Sequence, residues 1–149
     1  GFAWALGERF GFDYQKDPKV VRADFGMGEA EEAKIAMTNV LAAYPNDKRI
    51  VLTTINEETM QGAFAAMEIV GRWDPDNTIA VAQGCDALGR KLIREGYEDG
   101  NIAYFPEKYG QYLIPAVCAI LLGQPVPPYM YVENVVITRE NIDEYYPEK

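Results

Sequence analysis

Phe25, Asn56, Gln83, Gly84, Asp86 and Tyr104 are the positions at which this chain could do chemistry on a small molecule. An aromatic ring packs its face against the apolar C–H face of a sugar ring. Amides and carboxylates supply the paired donors and acceptors that adjacent hydroxyls require. A few convergent polar groups among aromatics is the usual composition of a small-molecule site. Each residue also has a plainer use. Asn56 and Asp86 suit helix N-caps, Phe25 suits a core, and Tyr104 suits a strand. The binding reading gains weight because all of them fall at one edge of the predicted sheet.

That edge follows from the alternation of elements. Residues 1–11 read as a helix, and Val20–Phe25 as a strand after the Asp17-Pro18 turn. Gly28–Tyr44 reads as a helix, with Ala30, Ala33, Met37, Val40, Leu41 and Tyr44 at helical spacing. Ile50–Ile55 is a short, β-branched run that suits a parallel strand covered on both faces. Asn56 then caps a helix whose positive first turn carries Glu57 and Glu58, which read as first-turn charges. Thr78–Gln83 is the next strand, and Asp86 caps a helix that ends at Gly96. Asn101–Phe105 is a strand. Pro106 suits the first position of a helix from Glu107 to Leu122. Val132–Ile137 is a last strand, and Thr138 starts a short helix through Tyr145. Strands that alternate with helices predict an α/β, doubly wound, mostly parallel sheet in three α/β/α layers. Ligands of such sheets bind beyond the carboxyl ends of the strands. Those ends hold Phe25, Asn56, Gln83-Gly84-Cys85-Asp86 and Tyr104.

Composition narrows the classes. The chain has 149 residues, 48% hydrophobic and 25% charged, as expected of one globular domain. Its net charge is −9, with 23 acidic against 14 basic residues. Nucleic-acid binding needs a basic footprint, so no nucleic-acid partner is expected. No apolar run reaches the roughly 18–20 residues that span a bilayer. The sequence contains no His, which removes the commonest general base and metal ligand. No GxSxG elbow or phosphate-binding loop occurs, and Gly26-Met27-Gly28 lacks the third glycine of a dinucleotide fingerprint because position 31 is Glu. The reading is therefore a binder and not an enzyme, with no catalytic residue, no metal and no cofactor. Cys85 and Cys118 fit no zinc spacing. Cys118, on an apolar helix face, is expected to be a buried free thiol.

Several segments resemble one family. Arg22-Ala23-Asp24-Phe25 before a helix resembles a segment whose aromatic stacks on sugar. Thr54-Ile55-Asn56-Glu57-Glu58-Thr59-Met60-Gln61-Gly62-Ala63 resembles an Asn-Asp-x-x-Ala-x-Gly-Ala signature, with Glu57 replacing the Asp. Ala80–Gly84 resembles a Val-Val-Gly-Phe-Asp strand end, and Ile102–Pro106 an Ile-Ala-Gln-x-Pro segment. Gly123-Gln124-Pro125-Val126-Pro127 and Val136–Asp143 look like the closing segments. In order and spacing these are similar to the carboxyl-terminal half of type I periplasmic sugar-binding proteins, the ribose-binding-like family, over nearly the whole chain.

The resemblance implies a two-lobed receptor that closes on a sugar and delivers it to an ABC importer permease, outside the cytoplasm. It implies that Asn56 contacts the sugar. The family's sugar-binding Asp falls on Gly84, so that contact passes to Gln83 or Asp86. Tyr104 stands where the family has a ligand-contacting Gln. The chain starts inside a predicted helix, so the first lobe and the first strand of the second are expected to be missing. In the family the helix over 106–124 packs on the first lobe. Here it needs another home, on the truncated sheet or in a homodimer. The alternative reading on the same fold is the effector-binding domain of a lactose-repressor-type transcription regulator.

Overall fold

The computed structural model describes residues 2–11, 13, 15–24 and 26–148, with the side chains of Phe2, Ala3 and Leu6 set aside. Helix α1 (Phe2–Phe10) opens the described chain. The segment 20–24 forms no strand, so the strand expected at 20–25 is absent among the described residues. Phe25 itself lies outside them.

Helix α2 (Ala30–Ala43) buries Ala33, Met37 and Leu41, four residues apart, on α3. Strand β1 (Ile50–Thr53) leads into α3 (Glu57–Ile69), the most buried helix. A Cβ on Gly62 would run into the Ala30 carbonyl, so glycine there is what lets α2 and α3 touch. Strand β2 (Thr78–Gly84), helix α4 (Ala87–Glu95) and strand β3 (Gly100–Ala103) complete two β–α–β steps. Gly96 closes α4 in the left-handed conformation at φ 82°, where a Cβ is costly.

The sheet runs β1-β2-β3-β4. The first three strands are parallel, and β4 (Val135–Ile137) returns antiparallel to β3. The mostly parallel α/β sheet is thus as expected, with its last strand reversed. Consecutive parallel strands in sequential order put α3 and α4 on the same face. That face carries the core: Met60, Ala63, Phe64, Ala66 and Met67 of α3, with Met37 and Leu41 of α2, Ala80 and Ala82 of β2, and Leu92 of α4. Trp73 stacks on Tyr97 at 5.0 Å and meets Phe64 edge-on at 4.7 Å, sealing one end. A second cluster joins Cys85, Ile93, Ala103, Phe105, Ile137 and Ile142, the last from α6 (Ile142–Tyr145). On the opposite face, Val51 and Ile79 are 56% and 53% exposed, so the described helices leave it largely open, and β1 is not covered on both faces as its β-branched run suggested.

The region expected as one helix from 107 to 122 is a 3-10 turn, Pro106–Lys108, followed by α5 (Gly110–Leu121). No residue of α5 is buried. Ile114, Val117, Ile120 and Leu121 all face outward, Leu121 at 79% exposure. Cys118 is consequently exposed, not buried as its apolar neighbours suggested; the buried free thiol is Cys85. Among the described residues no helix is long and apolar enough to cross a membrane.

Candidate functional site

Parallel strands β1, β2 and β3 end side by side, and the sequence-predicted residues sit just past those ends. Asn56 follows β1 and caps α3. Its Oδ1 accepts from the Thr59 backbone N–H at 2.9 Å and the Thr59 hydroxyl at 2.7 Å. Its Nδ2 donates to the Gly28 carbonyl at 3.1 Å. The capping role and a tie to the 26–28 turn are therefore both real, and one amide N–H stays uncommitted.

Gln83 and Tyr104 meet directly across the β2–β3 pair, where the Tyr104 hydroxyl donates to Gln83 Oε1. Both side chains are half-buried. Asp86 is exposed and caps α4, with its Oδ1 accepting from Leu88 N–H at 2.8 Å and Gly89 N–H at 3.0 Å. The structure thus brings Asn56, Gln83, Gly84, Asp86 and Tyr104 to one edge. Phe25 stays outside the described residues.

The backbone of this edge is strained. Gly84 sits at φ 126°, Cys85 at φ 57° and Phe105 at φ 49°. A non-glycine residue in the left-handed region costs of order 1 kcal/mol and persists only where its surroundings hold it. Cys85 is held by burial and by the Arg90 guanidinium, which donates to its carbonyl at 3.1 Å. Phe105 is buried, with the Lys108 ammonium 4.0 Å from its ring centroid. Burial pushes the Cys85 thiol up to about 12, against the pull of Arg90 and with help from Glu57, Glu98 and Asp86. A thiol so placed is no nucleophile near neutral pH. Among the described residues, no group of three or more His, Cys, Asp or Glu could hold a metal ion.

Sequence reasoning missed Glu57. Read as a first-turn surface charge, it is 4% exposed. Its Oε1 accepts the backbone N–H of Asp86 at 3.1 Å and the Asn101 amide at 3.3 Å. A Cβ on Gly84 would lie 2.7 Å from that oxygen, and one on Gly89 would lie 2.7 Å from Glu57 Cγ. The two glycines are the space the longer side chain occupies. Gly89 was the available signal, since a glycine inside a helix costs up to about 1 kcal/mol relative to alanine and so calls for a packing reason.

A family model described as "Periplasmic binding protein domain" matches residues 1–125. No curated protein matches the chain. Among solved structures, an ABC transporter periplasmic solute binding protein from Actinobacillus succinogenes 130z with bound D-allose is 25% identical, with a TM-score of 0.69 over 78% of this chain and 40% of that one. An ABC transporter solute binding protein from Agrobacterium vitis bound with alpha-D-tagatopyranose is 21% identical, at 0.74 over 89% and 44%. The binding protein of the arabinose ABC transporter from Shewanella sp. ANA-3, bound to L-arabinofuranose, is 20% identical, at 0.73 over 85% and 42%. The chain therefore spans less than half the length of each of these proteins.

Proposed function

The chain belongs to the periplasmic binding protein domain family, and from that membership we infer that it is the carboxyl-terminal lobe of a sugar receptor serving an ABC importer outside the cytoplasm. The family is one of binding proteins. The observation that carries the reading is the single polar edge, where Asn56, Gln83, Asp86 and Tyr104 end three parallel strands.

The chemistry follows from what each side chain has left to give. Asn56 keeps one N–H for a hydroxyl after serving Gly28. Gln83 spends Oε1 on Tyr104 and keeps its amide N–H donors. Asp86 spends Oδ1 on the cap and keeps Oδ2 as an acceptor. The Tyr104 ring and Phe25 supply apolar faces. The sugars named for the solved relatives, D-allose, tagatose and arabinose, set the ligand class to test.

The opposing contacts come from a first lobe carried by a longer protein, which also receives the exposed apolar face of α5. The coverage of each relative, below one half, supports this division. The family match does not favour the transcription-regulator reading. The discriminating experiment is a thermal-shift screen of the full-length protein against aldoses and ketoses of five and six carbons. Saturable stabilisation by at least one sugar is expected, and no response to any would count against a sugar receptor.

A further inference from the structure

Behind the ligand edge lies a row of buried polar groups that the binding reading does not use. Glu57, Asn101 and Glu98 are 4%, 0% and 3% exposed. Asn101 lies in β3 with its side chain on the covered face of the sheet. Its Nδ2 donates to Glu98 Oε2 at 2.8 Å and to Glu57 Oε1 at 3.3 Å. One amide therefore serves two acidic side chains. Two atoms in the row have no partner: Glu98 Oε1 and Asn101 Oδ1. Both are acceptors when Glu98 is ionised, and a buried polar atom without a partner is costly.

A carboxylic acid and an amide can pair through two bonds at once, N–H to one oxygen and O–H to the amide carbonyl. The first of those bonds is present. The second needs a proton on Glu98 Oε1 and would satisfy both orphaned atoms together. We propose that Glu98 carries that proton, donated to Asn101 Oδ1, and that this leaves Glu57 as the charged member which positions the 84–86 turn through the Asp86 N–H. Two buried carboxylates sharing one amide do not both ionise without mutual repulsion. Glu57 is the better seat for the charge because its Oε1 accepts two N–H donors and it stands at the positive end of α3.

The other groups around the row agree. Burial raises Glu98 most, to about 7 against the pull of the Asn101 hydrogen bond, and Glu57 from α3 and then Asp86 from the α4 cap add to it. Cys85 and Arg90 border the same turn; the thiol is neutral and the guanidinium is committed to the Cys85 carbonyl. The consequence for ligand binding rests on the receptor reading; the shared proton does not.

The test is a pH titration of glutamate side-chain carboxyl 13C shifts in the ligand-free full-length protein, with Glu98 assigned through bonds in the wild type. Glu98 is expected to titrate near 7, and the same titration should shift the Asp86 amide signal. In Glu98→Gln, whose amide can mimic the neutral acid, the Asp86 shift over that range should vanish while the thermal midpoint at pH 6 is not lowered. Titration of Glu98 within the ordinary carboxylate range would overturn the proposal, as would an Asp86 amide that does not follow it. No sugar is added, so either result leaves the receptor reading to be judged by the ligand screen.

Discussion

Glu57 Oε1 accepts the backbone N–H of Asp86 at 3.1 Å, which ties the start of α3 to the turn that starts α4. The two helices follow different strands, so this bond sets how the ends of β1 and β2 are placed relative to each other. A carboxylate in that role must have room. Gly84 and Gly89 provide it.

Gly89→Ala should therefore destabilise the protein, although alanine favours helices by about 1 kcal/mol over glycine. The new Cβ would meet Glu57 Cγ at 2.7 Å and Asn101 Nδ2 at 2.8 Å. Overpacking a filled site costs roughly 1–3 kcal/mol, so the net loss should be about 1 kcal/mol. Urea denaturation measures it, and a more stable variant would mean that Glu57 is not confined as described.

Asp86→Ala removes both bonds of the α4 cap, to Leu88 N–H and Gly89 N–H. Loss of such a cap costs about 1 kcal/mol. Asp86→Asn keeps an acceptor in the same place and should recover most of the loss. Parallel denaturation curves of the two variants check the difference.

The pH dependence of stability has a defined sign. Glu98 is raised from the ordinary 4.5 to about 7, chiefly by burial. The folded state then binds a proton that the unfolded state has released between those values. Its contribution is fully present below about 4.5 and is lost as pH rises through about 7. The wild type should lose roughly 3 kcal/mol across that window that Glu98→Gln does not lose. Denaturation of both proteins at pH 5 and pH 8 checks this, and parallel profiles would contradict it.

Residues 1–149 produced alone should self-associate through α5. Ile114, Val117 and Leu121 lie on one face at helical spacing and are all exposed. Light scattering should show a mass that rises with concentration, and Ile114→Lys with Leu121→Lys should abolish the rise. A strict monomer with α5 open to solvent would exclude this face as a self-association surface.

Much of the fold was legible in the sequence because its signals are local. The strand in the β-branched run at 50–55, shorter at Ile50–Thr53, the Asn56 and Asp86 caps and the Gly96 terminus each depend on a few neighbouring residues, and the caps and terminus lie where the pattern put them. The direction of β4 depends on the strand it pairs with, β3, which no local pattern encodes. Val20–Phe25 has a strand's composition, yet 20–24 form no strand; composition cannot supply a hydrogen-bonded partner. The candidate site divides in the same way. Its rim was found from strand ends and residue type. The buried row was not, because Glu57 meets Asp86 and Asn101 across 29 and 44 residues, and Glu98, three residues from Asn101, joins Glu57 only through that amide.

The central claim is that the carboxyl ends of β1–β3 form half of a sugar site, and Asn56 tests it most directly. Asn56→Asp keeps the Oδ1 that accepts from Thr59, so the cap survives, but it removes the amide N–H donors. Calorimetric titration of the full-length protein should first find a sugar that binds one to one, and the variant should then bind it weaker by roughly 1–3 kcal/mol, about 5- to 150-fold, with a stability loss of about 1 kcal/mol from the lost Gly28 hydrogen bond. Equal affinity of the wild type and Asn56→Asp for that sugar would contradict the placement of the site at this edge.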